Sequence, residues 1–224
     1  MKTTHILNIG YPKCGTTWLW KLISQQSWFA TFGGEPWVEK ENTKLIRGVA
    51  VSEYIKPYTD HDITANFAPS NFAIDRYIIK QLSELPTVQL SIILRNPYDL
   101  YWSLYNFLPN PTQVTYNNFI INLSNQSWFT RPAHVIKRWQ QFFGKDRFCI
   151  FFYDDLQKNS SDFFNNYCKQ MRLPDPVILD IRPKNVTRYT HTDMELDSNL
   201  IVLINQEIDN LQACVDYDVL KWKQ

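Results

Sequence analysis

The amino-acid sequence predicts an α/β protein of one domain, residues 1–224, with a central, mostly parallel sheet flanked by helices. Apolar runs of strand length at Thr4 to Ile9, Val88 to Leu94 and Arg147 to Tyr153 are each followed by a stretch with helical spacing. Strands that alternate with helices form parallel sheets, because a crossover helix returns the chain to the same edge. No linker, repeat or low-complexity tract marks a domain boundary within the 224 residues.

The helices are predicted from the spacing of apolar residues. They are expected at Thr17 to Gln26, Pro97 to about Phe107, Ser160 to Met171 and Asp193 to Cys214. Pro97 suits a helix start because proline is favoured at an early helical position. A further short strand is expected at Trp28 to Phe32. Ligands of parallel sheets bind beyond the carboxyl ends of the strands, so the residues that follow strands are the first candidates for function.

Composition and charge exclude several classes of protein. The chain has 44% hydrophobic and 20% charged residues, which excludes disorder and fibrous folds. Its 23 Lys and Arg residues against 22 Asp and Glu give a net charge of +1. That charge is too small for a general attraction to nucleic acid or an anionic membrane, so we expect neither as a partner. Any anion-binding site must be local.

Cysteine spacing and the N-terminal residues predict a cytoplasmic protein. Cys14, Cys149, Cys168 and Cys214 are far apart, without the spacing of a zinc site or a disulfide framework. The first residues, MKTTHILNIG, lack the long apolar segment of a signal peptide. No run approaches the length of about 18 apolar residues that a membrane span requires. We therefore expect free thiols, no membrane span and no metal site.

A candidate phosphate-binding loop follows the first predicted strand. Residues 10–17 read GYPKCGTT and contain two of the six glycines of the chain. Glycine lets the backbone curl so that consecutive N–H groups meet an anion at a helix start, although an ordinary strand-to-helix turn is the alternative. A nucleotide triphosphatase would have Lys directly after the second glycine, where Thr16 stands here. Lys13 inside the loop instead suits a short anhydride whose leaving oxygen needs one cation.

The segment YPKCGTTW resembles the 5′-phosphosulfate loop of sulfotransferases that use 3′-phosphoadenosine 5′-phosphosulfate (PAPS), with Cys14 where Ser is usual. The resemblance implies the P-loop sulfotransferase fold. It also implies that Lys13 contacts the bridging oxygen and the sulfuryl group, and that Trp18 stacks on adenine. A core position is the alternative for Trp18. The donor-binding residues implied by this loop are Pro12, Lys13, Cys14, Gly15, Thr16, Thr17 and Trp18.

A second anion site is predicted after the strand that ends at Leu94. Arg95 supplies a guanidinium fork at the strand end, and Ser103 supplies a hydroxyl on the next helix. A salt bridge from Arg95 to Asp99, with an exposed Ser103, is the alternative. The pattern RNPxDxxxS resembles the 3′-phosphate motif of the same sulfotransferases, in which this Arg and this Ser bind the 3′-phosphate.

A basic segment near the C-terminus resembles the loop that these enzymes close over the nucleotide. Residues 182–188 read RPKNVTR, without the RKG triplet of the cytosolic members. By this resemblance, Lys184 or Arg188 reaches the 3′-phosphate. A solvated loop is the alternative.

Transfer of a sulfuryl group to a hydroxyl also needs a base that takes the acceptor proton. Cytosolic members use a His, but the corresponding residues here, Ala65 to Phe72, contain none. Carbohydrate and heparan sulfate-type members, and many bacterial relatives, use a Glu after the loop lysine, and the matching residue is Glu35. Glu35 is therefore the expected base and His61 the alternative, while either could be a surface residue.

Together these features predict an enzyme that moves the sulfuryl group from PAPS to a hydroxyl of a carbohydrate or small-molecule acceptor by in-line transfer. The product would be 3′-phosphoadenosine 5′-phosphate (PAP), and no metal would be needed. Two alternatives stay open, a phosphate-loop enzyme that transfers phosphoryl groups and a non-catalytic binder of bisphosphorylated adenosine. The aromatic-rich stretch from Tyr101 to Trp128 is expected to line the acceptor cleft. The residues identify neither the acceptor nor the oligomeric state.

Overall fold

The computed structural model describes residues 4–30, 44–59, 61–108, 115–125, 130–177 and 196–224. Packing divides the chain into two units. The first comprises Met1–Leu94 and Arg138–Lys184, and the second comprises Arg95–Lys137 and Asn185–Gln224. That the chain is one domain over residues 1–224 stays a prediction.

A four-stranded parallel sheet lies in the first unit, which confirms the predicted α/β class. Its strands are β1 (Thr4–Asn8), β2 (Ile63–Asn66), β3 (Val88–Leu94) and β4 (Phe148–Phe152), in the spatial order β2-β1-β3-β4. Because all the pairings are parallel, the carboxyl ends of the strands lie at one edge of the sheet. Strands β1 and β3 are buried almost throughout, as expected where helices cover both faces.

The described residues form nine α-helices. They are α1 (Thr16–Ser24), α2 (Val51–Ile55), α3 (Arg76–Ser83), α4 (Pro97–Tyr105), α5 (Tyr116–Asn125), α6 (Pro132–Gln140), α7 (Tyr153–Lys158), α8 (Ser160–Gln170) and α9 (Ser198–Gln212). Helices α1, α2, α3, α7 and α8 belong to the first unit, and α4, α5 and α9 belong to the second. None of the described helices is long and apolar enough to cross a membrane.

Side chains at helix starts explain where several helices begin. In four helices the residue before the first turn accepts a hydrogen bond from the backbone N–H two residues further on. These residues are Asp75 at α3, Asn96 at α4, Asn159 at α8 and Asp197 at α9. Such caps satisfy N–H groups that have no partner inside the helix. Helix α1 differs, because it begins after Gly15, which has no side chain.

Most predicted elements correspond to observed ones, but one predicted strand is wrong and one observed strand was not predicted. The predicted strand at Val88 to Leu94 matches β3 at both ends. The predicted strand at Trp28 to Phe32 is wrong over its described part, since residues 28–30 form a turn and irregular backbone. Strand β2 was not predicted, because its four residues ITAN are too few and too polar to produce a strand pattern.

His5 is a buried histidine and the second residue of β1. Its exposed fraction is 1%. Its Nδ1 atom lies 2.8 Å from the Thr64 hydroxyl on β2, and its Nε2 atom lies 2.7 Å from the Tyr54 hydroxyl. Burial penalises the charged ring and lowers the pKa of His5 to about 3. The imidazole is therefore neutral near pH 7.

We predict that the free energy of unfolding decreases as the pH falls below 6.5, because unfolded His5 binds a proton that the folded ring excludes until about pH 3. The contribution of neutral His5 to the free energy of unfolding is complete above pH 6.5. Below pH 6.5 it decreases by up to about 1.4 kcal/mol per pH unit. Urea unfolding at several pH values measures it. The variant His5→Gln cannot titrate at this position and should show the shallower pH dependence. Equal slopes for both proteins would contradict this assignment.

Candidate active site

The predicted phosphate loop leaves the carboxyl edge of the sheet. Ile9 still pairs with β3, since its N–H donates to the carbonyl oxygen of Ser91 at 2.8 Å. The chain then departs from the sheet at Gly10 and enters α1 at Thr16. The loop thus lies beyond the end of an inner strand, where parallel sheets bind their ligands.

Two residues of this loop have a left-handed backbone. Their φ angles are 65° at Lys13 and 83° at Gly15. Glycine adopts this conformation freely, whereas for a residue with a side chain it is less favourable by about 1 to 2 kcal/mol of conformational free energy. A non-glycine residue stays in this conformation only where its surroundings impose it, and such strain concentrates at binding and catalytic sites. Backbone of this kind turns successive N–H groups toward a shared concavity that suits an anion.

The start of α1 offers further N–H groups to an anion. The first hydrogen bond within the helix runs from the Leu19 N–H to the Gly15 carbonyl oxygen, at 3.0 Å. The N–H groups of Thr16, Thr17 and Trp18 therefore have no acceptor inside the helix. Gly15 cannot cap them, and the first turn contains no Asp or Glu. The positive end of the helix is thus left for a bound anion such as a nucleotide phosphate.

Packing fixes both halves of the loop. The Tyr11 ring, which is 1% exposed, stacks on Phe72 with 4.9 Å between the ring centroids. At the other end, a Cβ atom on Gly15 would lie 2.6 Å from Leu156 Cδ2 and 3.4 Å from the ring of Tyr153. Helix α7 therefore occupies the space that a side chain on Gly15 would need. The loop has little freedom to change its shape.

The side chains of the loop differ in how far they are exposed. Pro12, Lys13 and Thr17 are half-buried, whereas Cys14 and Thr16 are buried. Lys13 is the one cation in the loop sequence. Among the described residues, no group of three or more His, Cys, Asp or Glu side chains is placed to bind a metal ion.

Trp18 lies in the aromatic packing of the first unit. It is 6% exposed, and its ring makes edge contacts with Phe163 and Phe164 of α8, at centroid distances of 6.2 and 6.4 Å. This is the core position that the sequence left open as an alternative. Stacking of Trp18 on adenine stays a prediction.

Arg95 and Ser103 belong to the second unit. Arg95 directly follows Leu94, the last residue of β3, and is half-buried. Ser103 lies on α4 and is 3% exposed, so the alternative of a surface serine is wrong. The binding of a 3′-phosphate by these two residues stays a prediction.

His61, the alternative base, lies at the opposite edge of the sheet from the phosphate loop, and its role stays a prediction. His61 is exposed and precedes β2, in which Ile63 stands opposite Thr4 at the start of β1. It therefore lies at the amino edge of the sheet, whereas the loop lies at the carboxyl edge. The five residues of β1 separate these edges by roughly 15 Å, at about 3.3 Å per residue. The other candidates, Glu35, Lys184 and Arg188, lie outside the described residues.

The described aromatic residues between positions 101 and 128 mainly form the core of the second unit. Trp102 and Tyr105 both contact Tyr116, at ring-centroid distances of 5.3 and 5.2 Å, and all three are buried. Tyr101 and Ile120 contribute to a cavity of about 610 Å³ inside this unit. Their expected role in an acceptor cleft stays a prediction.

A parallel α/β sheet with a glycine-bounded loop between an inner strand and a helix defines the phosphate-loop class of proteins. Within that class, the chain belongs to the sulfotransferase family, because a family profile described as "Sulfotransferase domain" matches residues 3–169. The chain is 24% identical to mouse Sulfotransferase 2A2 over 186 residues, which cover 75% of this chain and 59% of the mouse protein. It is 22% identical to rat Sulfotransferase 2A1 over 230 residues, which cover 93% of this chain and 73% of the rat protein.

Solved structures share the fold. A sulfotransferase from Alicyclobacillus acidocaldarius has 16% identity and a TM-score of 0.68, with all of both chains covered. The mouse sulfotransferase SULT7A1, solved in complex with PAP, has 14% identity and a TM-score of 0.50 over 100% of this chain and 76% of that one. At these identities the likeness shows a shared fold and nothing further.

We predict that Gly15→Ala destabilises the protein and abolishes anion binding by the loop. The alanine must adopt a φ of 83° and also displace Leu156, so a loss of at least about 1 to 2 kcal/mol in unfolding free energy is expected. Urea unfolding and titration with PAP measure the two effects.

Gly48→Ala is the matched control, because Gly48 has a φ of 78° but no described atom within 4 Å of the added Cβ. It should lower stability and leave PAP affinity unchanged. Equal PAP affinity for Gly15→Ala and the wild-type protein would contradict the role of the loop.

Proposed function

We propose that this chain transfers a sulfuryl group from PAPS to the hydroxyl of a carbohydrate or small-molecule acceptor by direct in-line displacement. The observation that carries the proposal is the loop, which joins a strained Lys13 to a helix start free of acidic residues. Membership of the sulfotransferase family supports it, as does the PAP bound to the mouse structure of the same fold. We also propose that the reaction takes place in the cytoplasm.

The loop residues match what such a reaction requires. PAPS supplies a sulfuryl group on a phosphate oxygen, and transfer forms a bond from sulfur to the acceptor oxygen as the bond from sulfur to that phosphate oxygen breaks. The N–H groups of Gly15, Thr16 and Thr17 hold the 5′-phosphate. Lys13 stabilises the negative charge that develops on the leaving oxygen. The charge that develops on this one leaving oxygen calls for one cation, which agrees with the single lysine of the loop.

The remaining proposed roles rest on the sequence resemblance. Arg95 and Ser103 bind the 3′-phosphate, with Lys184 or Arg188 as a further cation. Glu35 accepts the proton that the acceptor hydroxyl loses, and PAP leaves with the electron pair of the broken bond. We propose that no metal takes part, in contrast to phosphoryl transfer, where magnesium bridges two phosphates.

We predict that the purified protein transfers radiolabelled sulfate from PAPS to at least one acceptor in a screen of sugars and phenols, and that magnesium chelation leaves the rate unchanged.

Lys13→Ala should lower kcat by about 10² to 10³, while PAP affinity falls less, because the cation acts mainly on charge developing in the transition state. Activity that disappears with a chelator and returns with magnesium would favour a phosphoryl-transfer enzyme. PAP binding with no transfer to any acceptor would favour a non-catalytic binder.

We predict that Arg95→Ala weakens PAP binding by about 2 to 3 kcal/mol, because a guanidinium group forms paired, charge-assisted hydrogen bonds with a phosphate. Binding of adenosine 5′-phosphate, which lacks the 3′-phosphate, should barely change. Calorimetric titration of both nucleotides with both proteins measures the difference. Similar losses for the two nucleotides would remove Arg95 from the 3′-phosphate site.

A further inference from the structure

We propose that Asn8 positions the phosphate loop for the donor phosphate, through a chain of buried side-chain hydrogen bonds that ends on α8. This inference rests on the proposed function. Asn8 is the last residue of β1 and has an exposed fraction of 0%. A buried amide is costly unless its polar atoms are paired, so its presence at the buried end of β1 needs an explanation.

Both ends of the Asn8 side chain are hydrogen-bonded. Its Oδ1 atom accepts from the N–H of Gly10, the first residue of the loop, at 3.1 Å. Its Nδ2 atom donates to the Ser91 hydroxyl on β3 at 3.0 Å. The same amide group therefore fixes the point where the loop begins and ties that point to the neighbouring strand.

The chain of hydrogen bonds continues from Ser91 to helix α8. The Ser91 hydroxyl lies 3.0 Å from the Tyr167 hydroxyl on α8, and both residues have an exposed fraction of 0%. From the other side, Asn71 Nδ2 donates to the Asn8 carbonyl oxygen at 2.9 Å. The end of β1 is thus held by a hydrogen bond that it donates to β3 and by one that it accepts from the segment following β2.

Space around Gly10 makes the loop sensitive to Asn8. A Cβ atom on Gly10 would lie 3.1 Å from Asn8 Oδ1 and 3.2 Å from the backbone nitrogen of Ile93. The loop therefore starts in van der Waals contact with the Asn8 amide. A negative charge at this position would stand beneath a loop built for phosphate, in a region where burial strengthens repulsion.

The test is to replace the amide by a carboxyl group of the same shape. In Asn8→Asp, the protonated carboxyl can still accept from Gly10 and donate to Ser91, whereas the ionised carboxylate places a charge under the loop. Between pH 6.5 and 8.5 Tyr167 stays protonated because burial raises its pKa. His5, on the same strand as Asn8, stays neutral because burial lowers its pKa to about 3. The Kd of PAP is measured across this range and divided by the wild-type value at each pH.

We expect this ratio to be at least about tenfold at the upper end of the range and to fall as the pH is lowered and the buried carboxyl takes up its proton. Gln26→Glu is the matched control, because Gln26 is a buried amide that accepts from the Val177 N–H at 2.9 Å. It lies beyond the C-terminal end of α1, whose nine residues separate it from the loop by roughly 14 Å. The PAP affinity of Gln26→Glu should equal that of the wild-type protein at every pH.

A ratio near one for Asn8→Asp at all pH values would overturn the proposal, and so would the same loss for Gln26→Glu. If Asn8→Asp does not fold, Ser91→Ala and Tyr167→Phe take its place, since each removes only an anchoring hydroxyl. We expect each of them to weaken PAP binding about threefold or more, and unchanged affinity in both would overturn the proposal. A wild-type protein that does not bind PAP would instead refute the proposed function itself.

Discussion

The structure of the candidate site depends on how the chain turns between β1 and α1. Gly10 to Gly15 must leave an inner strand and bring the chain to a helix start, where the first N–H groups have no acceptor within the helix. This turn needs a left-handed backbone at Lys13 and Gly15, and the surrounding packing has to offset its cost. The stacked ring of Tyr11, the helix under Gly15 and the amide of Asn8 each hold one part of the turn.

Some residues of the candidate anion site also belong to the packed core. Trp18 lies in the first turn of the helix that presents the N–H groups, and its ring also packs against α8. Leu156 is an apolar residue of α7, and it also limits the end of the loop to glycine. Helix α7, which contains Leu156, has a structural role in this protein, because it packs against the loop at Gly15. Changes in these core contacts are therefore expected to alter binding as well as stability.

Local sequence predicted the parts of this arrangement that depend on neighbouring residues. The loop with its two glycines, the strand before it and the helix after it follow from turn chemistry and apolar spacing within 25 residues. Asn8 could not be assigned in this way, because its partner Ser91, and Tyr167 which bonds to Ser91, lie far away in the chain. The local signal was limited to polar residues within two buried strands, among them Asn8 and Ser91. The distance of His61 from the loop was hidden for a related reason, since the edge of the sheet on which it lies depends on the pairing of β2.

The most direct test of the central claim is a crystal structure of the protein with PAP bound. The account predicts the 5′-phosphate against the N–H groups of Gly15, Thr16 and Thr17, with the 3′-phosphate bound by Arg95 and Ser103. It also predicts that Asn8 Oδ1 still accepts from the N–H of Gly10. A PAP molecule bound away from the loop, or a 5′-phosphate held by side chains elsewhere while the N–H groups contact solvent, would contradict the account.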